Sequence, residues 1–352
     1  MVKTIDSIKI GKKTIGRKYP CFIIAEAGVN HNGYLNLAKK LVDAAVSAKA
    51  DAVKFQTFTA SEVVTKNAGI ATYAKKNIGR NLKQVDMLKQ FELPFDDFKK
   101  IKKYCDNKGI IFLSSPHSFD AIDIVNEIVP AFKFGSGDIT NLPALQYAAK
   151  KGKPMILGTG MSTIKEIKQA ISTIRAENNN QIIALHCTTN YPCPKDEVNL
   201  RAMITMQEEL DCLVGYSDHT LGLTTSLLSR ALGAVVIEKH FTIDKKLPGP
   251  DHPASLDTEE LKQLVENIRC VETILGNTVK KPTPSEKKIM KLVRKSLVAN
   301  KDIKKEVTIT REMVSIKRPG TGLPPAYLDK LVGKKTVKNI EKDELFKKEM
   351  VN

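Results

Sequence analysis

Val235-Val236-Ile237-Glu238-Lys239-His240 begins as an apolar, β-branched run and ends in three titratable side chains. A strand buried on both faces reads as such a run, and a strand of a β/α barrel carries its chemistry at its C-terminal end. The same pattern recurs upstream. Strands are predicted over Cys21–Ala27, Ala52–Phe55, Ile110–Ser114, Ala131–Phe134, Pro154–Gly158, Ile182–His186 and Leu213–Tyr216. Helix-length amphipathic stretches lie between them, at Leu35–Ala48, Pro94–Lys108, Ser118–Glu127, Pro143–Lys151, Thr163–Glu177, Leu200–Glu209 and Leu223–Leu232. An eighth, Asp257–Leu275, follows the last strand. Eight βα units within about 275 residues are the arithmetic of an α/β fold closed into a (β/α)8 TIM barrel. An open doubly wound sheet is the alternative. Its Gly-rich turn is missing, because the first turn reads Gly28-Val29-Asn30-His31-Asn32-Gly33 and does not match GxGxxG.

The barrel is expected over residues 1–279, a linker over 280–291, turn-rich through Lys280–Ser285 and followed by a short helical stretch, and a small β-rich domain over 292–352. Strand-like pieces in the last are Ser296–Ala299, Val307–Thr308, Val314–Ile316 and Lys335–Val337, separated by turns such as Pro319-Gly320-Thr321-Gly322. A domain of about 60 residues has a thin core of its own. The connection Thr57–Leu93 is long for a βα loop and reads as a lid-like excursion over the barrel mouth.

Composition narrows the function classes. At 352 residues, 42% hydrophobic and 27% charged, the chain is an ordinary globular protein. It has no run of about 18 apolar residues, and Met1–Ile10 lacks the apolar core of a signal peptide, so no membrane partner is expected. Its six cysteines, Cys21, Cys105, Cys187, Cys193, Cys212 and Cys270, form no Cys-x-x-Cys pair. They read as reduced thiols of a cytoplasmic protein, with neither a disulfide framework nor a structural zinc site. The net charge is +17, and residues 281–352 carry 19 Lys/Arg against 9 Asp/Glu. With no nucleic-acid reading motif and lysines spread along the chain, this is a solvated basic surface compatible with anionic substrates.

The polar residues fall at the strand ends, one set after another. They are Glu26 with Asn30 and His31; Lys54 and Gln56; Ser114 and Ser115; Lys133 running into Gly135-Ser136-Gly137-Asp138; and Thr159. The remaining ends give His186, Thr188 and Tyr191; Ser217-Asp218-His219; and Glu238-Lys239-His240. Buried charge costs several kcal/mol unless it is paired or used, so so many polar ends point to a catalytic mouth. Lys54, Lys133, Ser115, Ser136 and the N–H groups around Gly135 and Gly137 suit a phosphate and a carboxylate. His219 and His240, on adjacent strand ends, can share a divalent ion such as Mn²⁺, Zn²⁺ or Fe²⁺ that polarises a carbonyl. Glu26 and Asp138 are candidate acid/base groups.

These residues resemble the sialic acid synthase family. The resemblance is carried by Ile24-Ala25-Glu26-Ala27-Gly28-Val29-Asn30-His31-Asn32-Gly33, Val53-Lys54-Phe55-Gln56 and Gly215-Tyr216-Ser217-Asp218-His219-Thr220. Further matches are Glu238-Lys239-His240-Phe241-Thr242, Pro248-Gly249-Pro250-Asp251 and Lys317-Arg318-Pro319-Gly320-Thr321-Gly322. The resemblance implies a barrel followed by a small antifreeze-like (SAF) domain. It implies an N-acylneuraminate-type synthase, a transferase that condenses phosphoenolpyruvate with an N-acylated mannosamine-type sugar and releases phosphate. Carried over residue by residue, phosphoenolpyruvate meets Lys54, Ser115, Lys133, Ser136 and Ser217. The metal, typically Mn²⁺ with Mg²⁺ or Co²⁺ as alternatives, sits on His219 and His240. The amino sugar meets Gln56, Tyr191 and Asp251, and Arg318 reaches the partner's site in a domain-swapped homodimer.

This chain departs from the family pattern at three places. Gly158 with Thr159 beside it stands where serine is common, Thr189 with Asn190 beside it where asparagine is common, and Asp138 where a glutamate occurs. Thr159 and Thr189 are therefore the expected substitutes among the phosphoenolpyruvate contacts. The runs Thr189-Asn190-Tyr191-Pro192 and Gly135-Ser136-Gly137-Asp138-Ile139-Thr140-Asn141 resemble the legionaminate branch, whose substrate is a diacetamido-trideoxy sugar. Two other readings compete. One is a Schiff-base aldolase using Lys54 or Lys133, which borohydride trapping would reveal. The other is a glycan- or nucleic-acid-binding protein with an inactive barrel, which would release no phosphate.

Overall fold

The computed structural model describes residues 5–70 and 83–352. It divides into two compact units, Met1–Gly276 and Asn277–Asn352. The first opens with an antiparallel hairpin, β1 (Ser7–Ile10) and β2 (Lys13–Gly16). Eight parallel strands follow: β3 (Phe22–Gly28), β4 (Ala52–Thr57), β5 (Ile111–Pro116), β6 (Phe132–Phe134), β7 (Met155–Gly158), β8 (Ile182–His186), β9 (Leu213–Asp218) and β10 (Val236–His240). Their hydrogen-bonded order is β5-β4-β3-β10-β9-β8-β7-β6, and β5 and β6 lie side by side. This is a nearly closed parallel barrel with the first and last strands, β3 and β10, paired as a TIM barrel requires.

Alternation along the strands builds two cores. Ile23, Ala25, Val53, Phe55, Phe112 and Tyr216 face outward and pack against the surrounding helices. Phe22, Ile24, Ile111, Leu113, Ile183 and Val236 face inward and fill the lower barrel. With a side-chain period of two, the next inward positions up each strand are Glu26, Lys54, Ser115, Lys133, Ser217, Glu238 and His240. The inner face thus changes from apolar to charged over one layer. Gly215 belongs to that inner face, where a Cβ would come within 2.6 Å of Val236 O and 2.7 Å of Leu185 Cδ2. The helices Leu35–Ser47, Phe95–Lys108, Phe119–Ile128, Leu142–Ala149, Ile164–Ala176, Ala202–Glu209, Thr224–Ala231 and Thr258–Leu275 follow the strands as expected.

The hairpin is absent from the sequence reading. Ile8, Ile10 and Ile15 are buried in the inner cluster and plug the N-terminal end of the barrel. Each buried isoleucine contributes about 1.5–3 kcal/mol.

The excursion between β4 and its helix contains the short helices Ala60–Val63 and Gln84–Lys89. Phe58, Met87 and Phe91 form an apolar cluster with Val29 of the loop after β3. Residues 71–82, the middle of the expected lid, lie outside the described residues.

In the second unit the expected linker 280–291 is helical over most of its length. Pro284–Val293 is a helix started by a capping box of Thr283 and Glu286, with Pro284 in the first turn. β11 (Ser296–Ala299) pairs with β12 (Val314–Lys317). The expected strands Val307–Thr308 and Lys335–Val337 are reduced to the single bridges Thr308↔Lys335 and Thr336↔Val351. The unit has its own core, with Leu297, Ile309, Leu331, Ile340 and Phe346 buried.

Candidate active site

At the C-terminal mouth of the barrel four charges interlock. Lys54 Nζ lies 2.8 Å from Glu26 Oε2, an ion pair without hydrogen-bond alignment, and 3.7 Å from Glu238 Oε2. It donates to Ser115 Oγ at 3.2 Å. Lys133 Nζ lies 3.3 Å from Glu238 Oε1, to which Ser217 Oγ donates at 3.0 Å. All six side chains are buried. Glu238 organises this cluster; the sequence marks it only as one of the polar strand ends. The available signal is its place two residues before His240, on the same strand face.

The environment separates the two carboxylates. Burial would raise Glu238, but Lys133 and Lys54 outweigh it and lower its pKa to about 2. For Glu26 burial wins over Lys54, and Glu238 adds repulsion, so its pKa rises to about 7. Burial also opposes the charge of Lys54, but Glu238 and Glu26 more than offset it and raise its pKa. The cluster therefore keeps Lys54 cationic and Glu238 anionic while Glu26 titrates near neutrality.

His219 and His240 stand beside this cluster, with ring centroids 5.7 Å apart. His219 Nδ1 lies 2.6 Å from Thr188 O. That carbonyl accepts, so Nδ1 carries the proton and Nε2 keeps its lone pair. His240 Nδ1 is buried without a hydrogen-bond partner. Burial lowers the pKa of His219 to about 4 and puts His240 well below the ordinary imidazole range, where His219 adds to the effect. Two neutral imidazoles with a lone pair to offer fit a divalent metal. Among the described residues no group of three or more His, Cys, Asp or Glu forms a complete metal cage. An ion held by these two imidazoles would take its other ligands from water or substrate.

Tyr191 lies against both imidazoles, its ring 4.1 Å from His219 and 5.4 Å from His240. Asp251 Oδ2 is 3.9 Å from His240 Nδ1, and burial raises the Asp251 pKa to about 6. Gln56 Nε2 donates to Glu26 Oε1 at 3.5 Å. The expected amino-sugar residues of the barrel thus gather on the side of the two histidines. Arg318 lies in the second unit, exposed, just after β12.

The remaining expected residues differ in placement. Ser136 Oγ accepts from Gly160 N at 3.0 Å and lies 3.1 Å from Cys187 Sγ at the cavity wall. Thr159 turns its hydroxyl onto Leu185 O at 2.8 Å, and Gly158 faces the cavity in its place. Thr189 Oγ1 is buried without a partner beside Gly160, where a Cβ would come within 2.2 Å of it. Asp138 faces His117, 3.6 Å from its Nδ1, and burial raises its pKa. His117 lines the cavity, and nothing in the strand pattern marks it.

A model described as the NeuB family matches residues 41–280. The chain belongs to the NeuB family. A second model, the SAF domain, matches residues 294–352. The chain is similar to the N,N'-diacetyllegionaminic acid synthase of Legionella pneumophila, at 45% identity over 94% of each chain. It is also similar to the human N-acetylneuraminate-9-phosphate synthase, at 36% identity over 96% of this chain and 94% of that one. Among solved structures, the N-acetylneuraminic acid synthetase of Leptospira borgpetersenii matches with a TM-score of 0.71 and 35% identity, covering 80% of this chain and 94% of that one.

Proposed function

We propose that this protein condenses phosphoenolpyruvate with an N-acylated mannosamine-type sugar and water, forming a nonulosonic acid and phosphate. The carrying observation is the buried Lys54–Glu26–Glu238–Lys133 cluster beside the His219–His240 pair, at one barrel mouth. Its two lysines, with Ser115, Ser217 and Ser136, suit the phosphate and carboxylate of the enol phosphate. A divalent metal, Mn²⁺ by the family resemblance, fits His219 and His240 and supplies Lewis-acid polarisation of an aldehyde oxygen.

C3 of phosphoenolpyruvate attacks the sugar aldehyde carbon, and the aldehyde oxygen gains a proton. Water adds at C2 and loses a proton, and phosphate departs with cleavage of its bond to C2. Glu26, inside the cavity and titrating near pH 7, is placed to move these protons. Asp138 faces His117 and is the second choice for that role. Lys54 and Lys133 balance the substrate charge throughout. This route forms no imine, so borohydride trapping with substrate should label neither Lys54 nor Lys133.

The sugar we favour is 2,4-diacetamido-2,4,6-trideoxymannose, with N-acetylmannosamine as the second reading. Support comes from 45% identity to a diacetyllegionaminic acid synthase against 36% to an N-acetylneuraminate-9-phosphate synthase. Arg318 would meet the sugar from the partner protomer of a domain-swapped homodimer, in the reducing cytoplasm that six free thiols suit. Phosphate release from phosphoenolpyruvate, measured with each sugar in turn, tests the choice. A kcat/KM at least tenfold higher for the diacetamido sugar supports it, and the reverse preference selects N-acetylmannosamine.

A further inference from the structure

Asp251 reaches the histidine pair from the loop that follows β10, and that loop is tied to the loop after β3 by buried polar side chains. His252 is fully buried between them. Its Nδ1 lies 2.7 Å from Thr242 Oγ1, and its Nε2 lies 3.1 Å from Asn32 Oδ1. Asn32 Oδ1 can only accept, so Nε2 carries the proton and Nδ1 accepts from the Thr242 hydroxyl. Burial lowers the His252 pKa to about 4, consistent with a neutral ring that donates on one side and accepts on the other. Thr242 Oγ1 also accepts from Asp244 N at 3.2 Å. In this arrangement the single Thr242 hydroxyl proton goes to His252 Nδ1 at 2.7 Å rather than to the more distant Asp244 O at 3.2 Å.

A second tie runs parallel to the first. Asn30 Nδ2 donates to Phe241 O at 2.8 Å and to Ser255 Oγ at 3.0 Å. Ser255 Oγ in turn donates to Asp251 O at 2.7 Å. Asn30 and Ser255 are buried, and none of these side chains belongs to the charged cluster of Lys54, Glu26, Glu238 and Lys133. Tight packing closes the turn, since a Cβ on Gly249 would meet His252 Cδ2 at 2.7 Å.

We infer that Asn32 and His252 are positioning residues for the amino-sugar side of the site, acting through Asp251. A carboxylate on a long loop has many rotamers, and ordering it before the sugar arrives removes that entropy from binding. The phosphoenolpyruvate side hangs on strand residues that this belt does not touch. Loosening the belt therefore separates the two substrates, which a general loss of stability would not do. This rests on the proposed contact between Asp251 and the sugar.

The test uses the full-length, metal-loaded protein with both KM values measured for Asn32→Ala, Asn32→Asp and Asp251→Asn. The expected result is a sugar KM raised roughly tenfold or more in N32A with the phosphoenolpyruvate KM unchanged. Asn32→Asp keeps the accepting oxygen for His252 Nε2–H and restores the sugar KM toward the parent value. A fall in kcat with both KM values unchanged, or an equal rise in both, overturns the inference. If D251N raises the sugar KM and N32A does not, the belt alone fails. If D251N leaves the sugar KM unchanged, the Asp251 contact fails, and the role of the belt fails with it. Asn32 is only partly buried, and its φ of 51° strains alanine, so Asn32→Gly, which accepts that φ and also lacks the oxygen, should raise the sugar KM as N32A does; a parent-like sugar KM in N32G overturns the inference.

Discussion

Single residues at the mouth divide by what their surroundings do to a proton. Glu26 and Glu238 are chemically identical and share Lys54, yet burial drives one up to about 7 while two lysines hold the other at about 2. The Glu26 pKa in the folded chain lies above its ordinary 4.5. Its protonation therefore contributes stability that is fully present below pH 4.5 and is lost as pH rises through about 7. Glu26→Gln should flatten the decline of Tm of the metal-free protein across pH 5–8. The same variant should lose the inflection near pH 7 in the kcat/KM profile, because the group that titrates is gone. An unchanged profile would assign the proton transfer elsewhere. His219→Ala and His240→Ala should each weaken Mn²⁺ binding, read by calorimetry, and lower kcat by about a hundredfold or more. Full turnover of either variant in metal-free buffer would remove the metal from the chemistry.

Between elements, a buried ion pair fixes the strand ends at the mouth, and the hairpin closes the opposite end. Asp218 and Lys239 are register partners on β9 and β10 and face away from the barrel axis, both buried, 2.9 Å apart. Asp218 also accepts from Thr220 N and Ser226 Oγ, which fixes the loop carrying His219. Lys239→Met leaves the Asp218 charge buried and should cost about 3–5 kcal/mol in urea unfolding. Ile15→Ala in the hairpin should cost about 2–5 kcal/mol with kcat unchanged, because the hairpin closes the end of the barrel opposite the mouth. A kinetic defect in I15A without destabilisation would contradict that separation. The barrel strands were legible because each is buried on both faces and reads as an unbroken apolar run. The hairpin was not, because its strands are four residues long and its isoleucines are too few to show a period. Mouth residues that end a strand were legible too. Glu238 was visible among the polar strand ends but not its place between two lysines, and the turning of the Thr159 hydroxyl onto Leu185 O is a rotamer choice that no sequence pattern records. The helix Pro284–Val293 answers the short helical stretch expected after the turn-rich residues, and Thr283-Pro284-x-Glu286 is its readable start.

The whole molecule consists of two units with separate cores. Under the proposed domain swap, Arg318→Ala and His240→Ala are each nearly inactive as homodimers. Mixed and allowed to exchange subunits, they should recover about a quarter of the parent activity, since half of the dimers then hold one complete site. No recovery after verified exchange would place Arg318 and His240 in the same protomer's site or Arg318 in none. The most direct measurement follows inorganic phosphate from phosphoenolpyruvate together with the 2-keto acid product, with Mn²⁺ and 2,4-diacetamido-2,4,6-trideoxymannose. The expected result is phosphate and product in equal amounts, none without the sugar, and little with His240→Ala. Phosphate released at the same rate without any sugar, or no release with either the diacetamido sugar or N-acetylmannosamine, would contradict a nonulosonate synthase built on the Lys54–Glu238–Lys133 cluster and the His219–His240 pair.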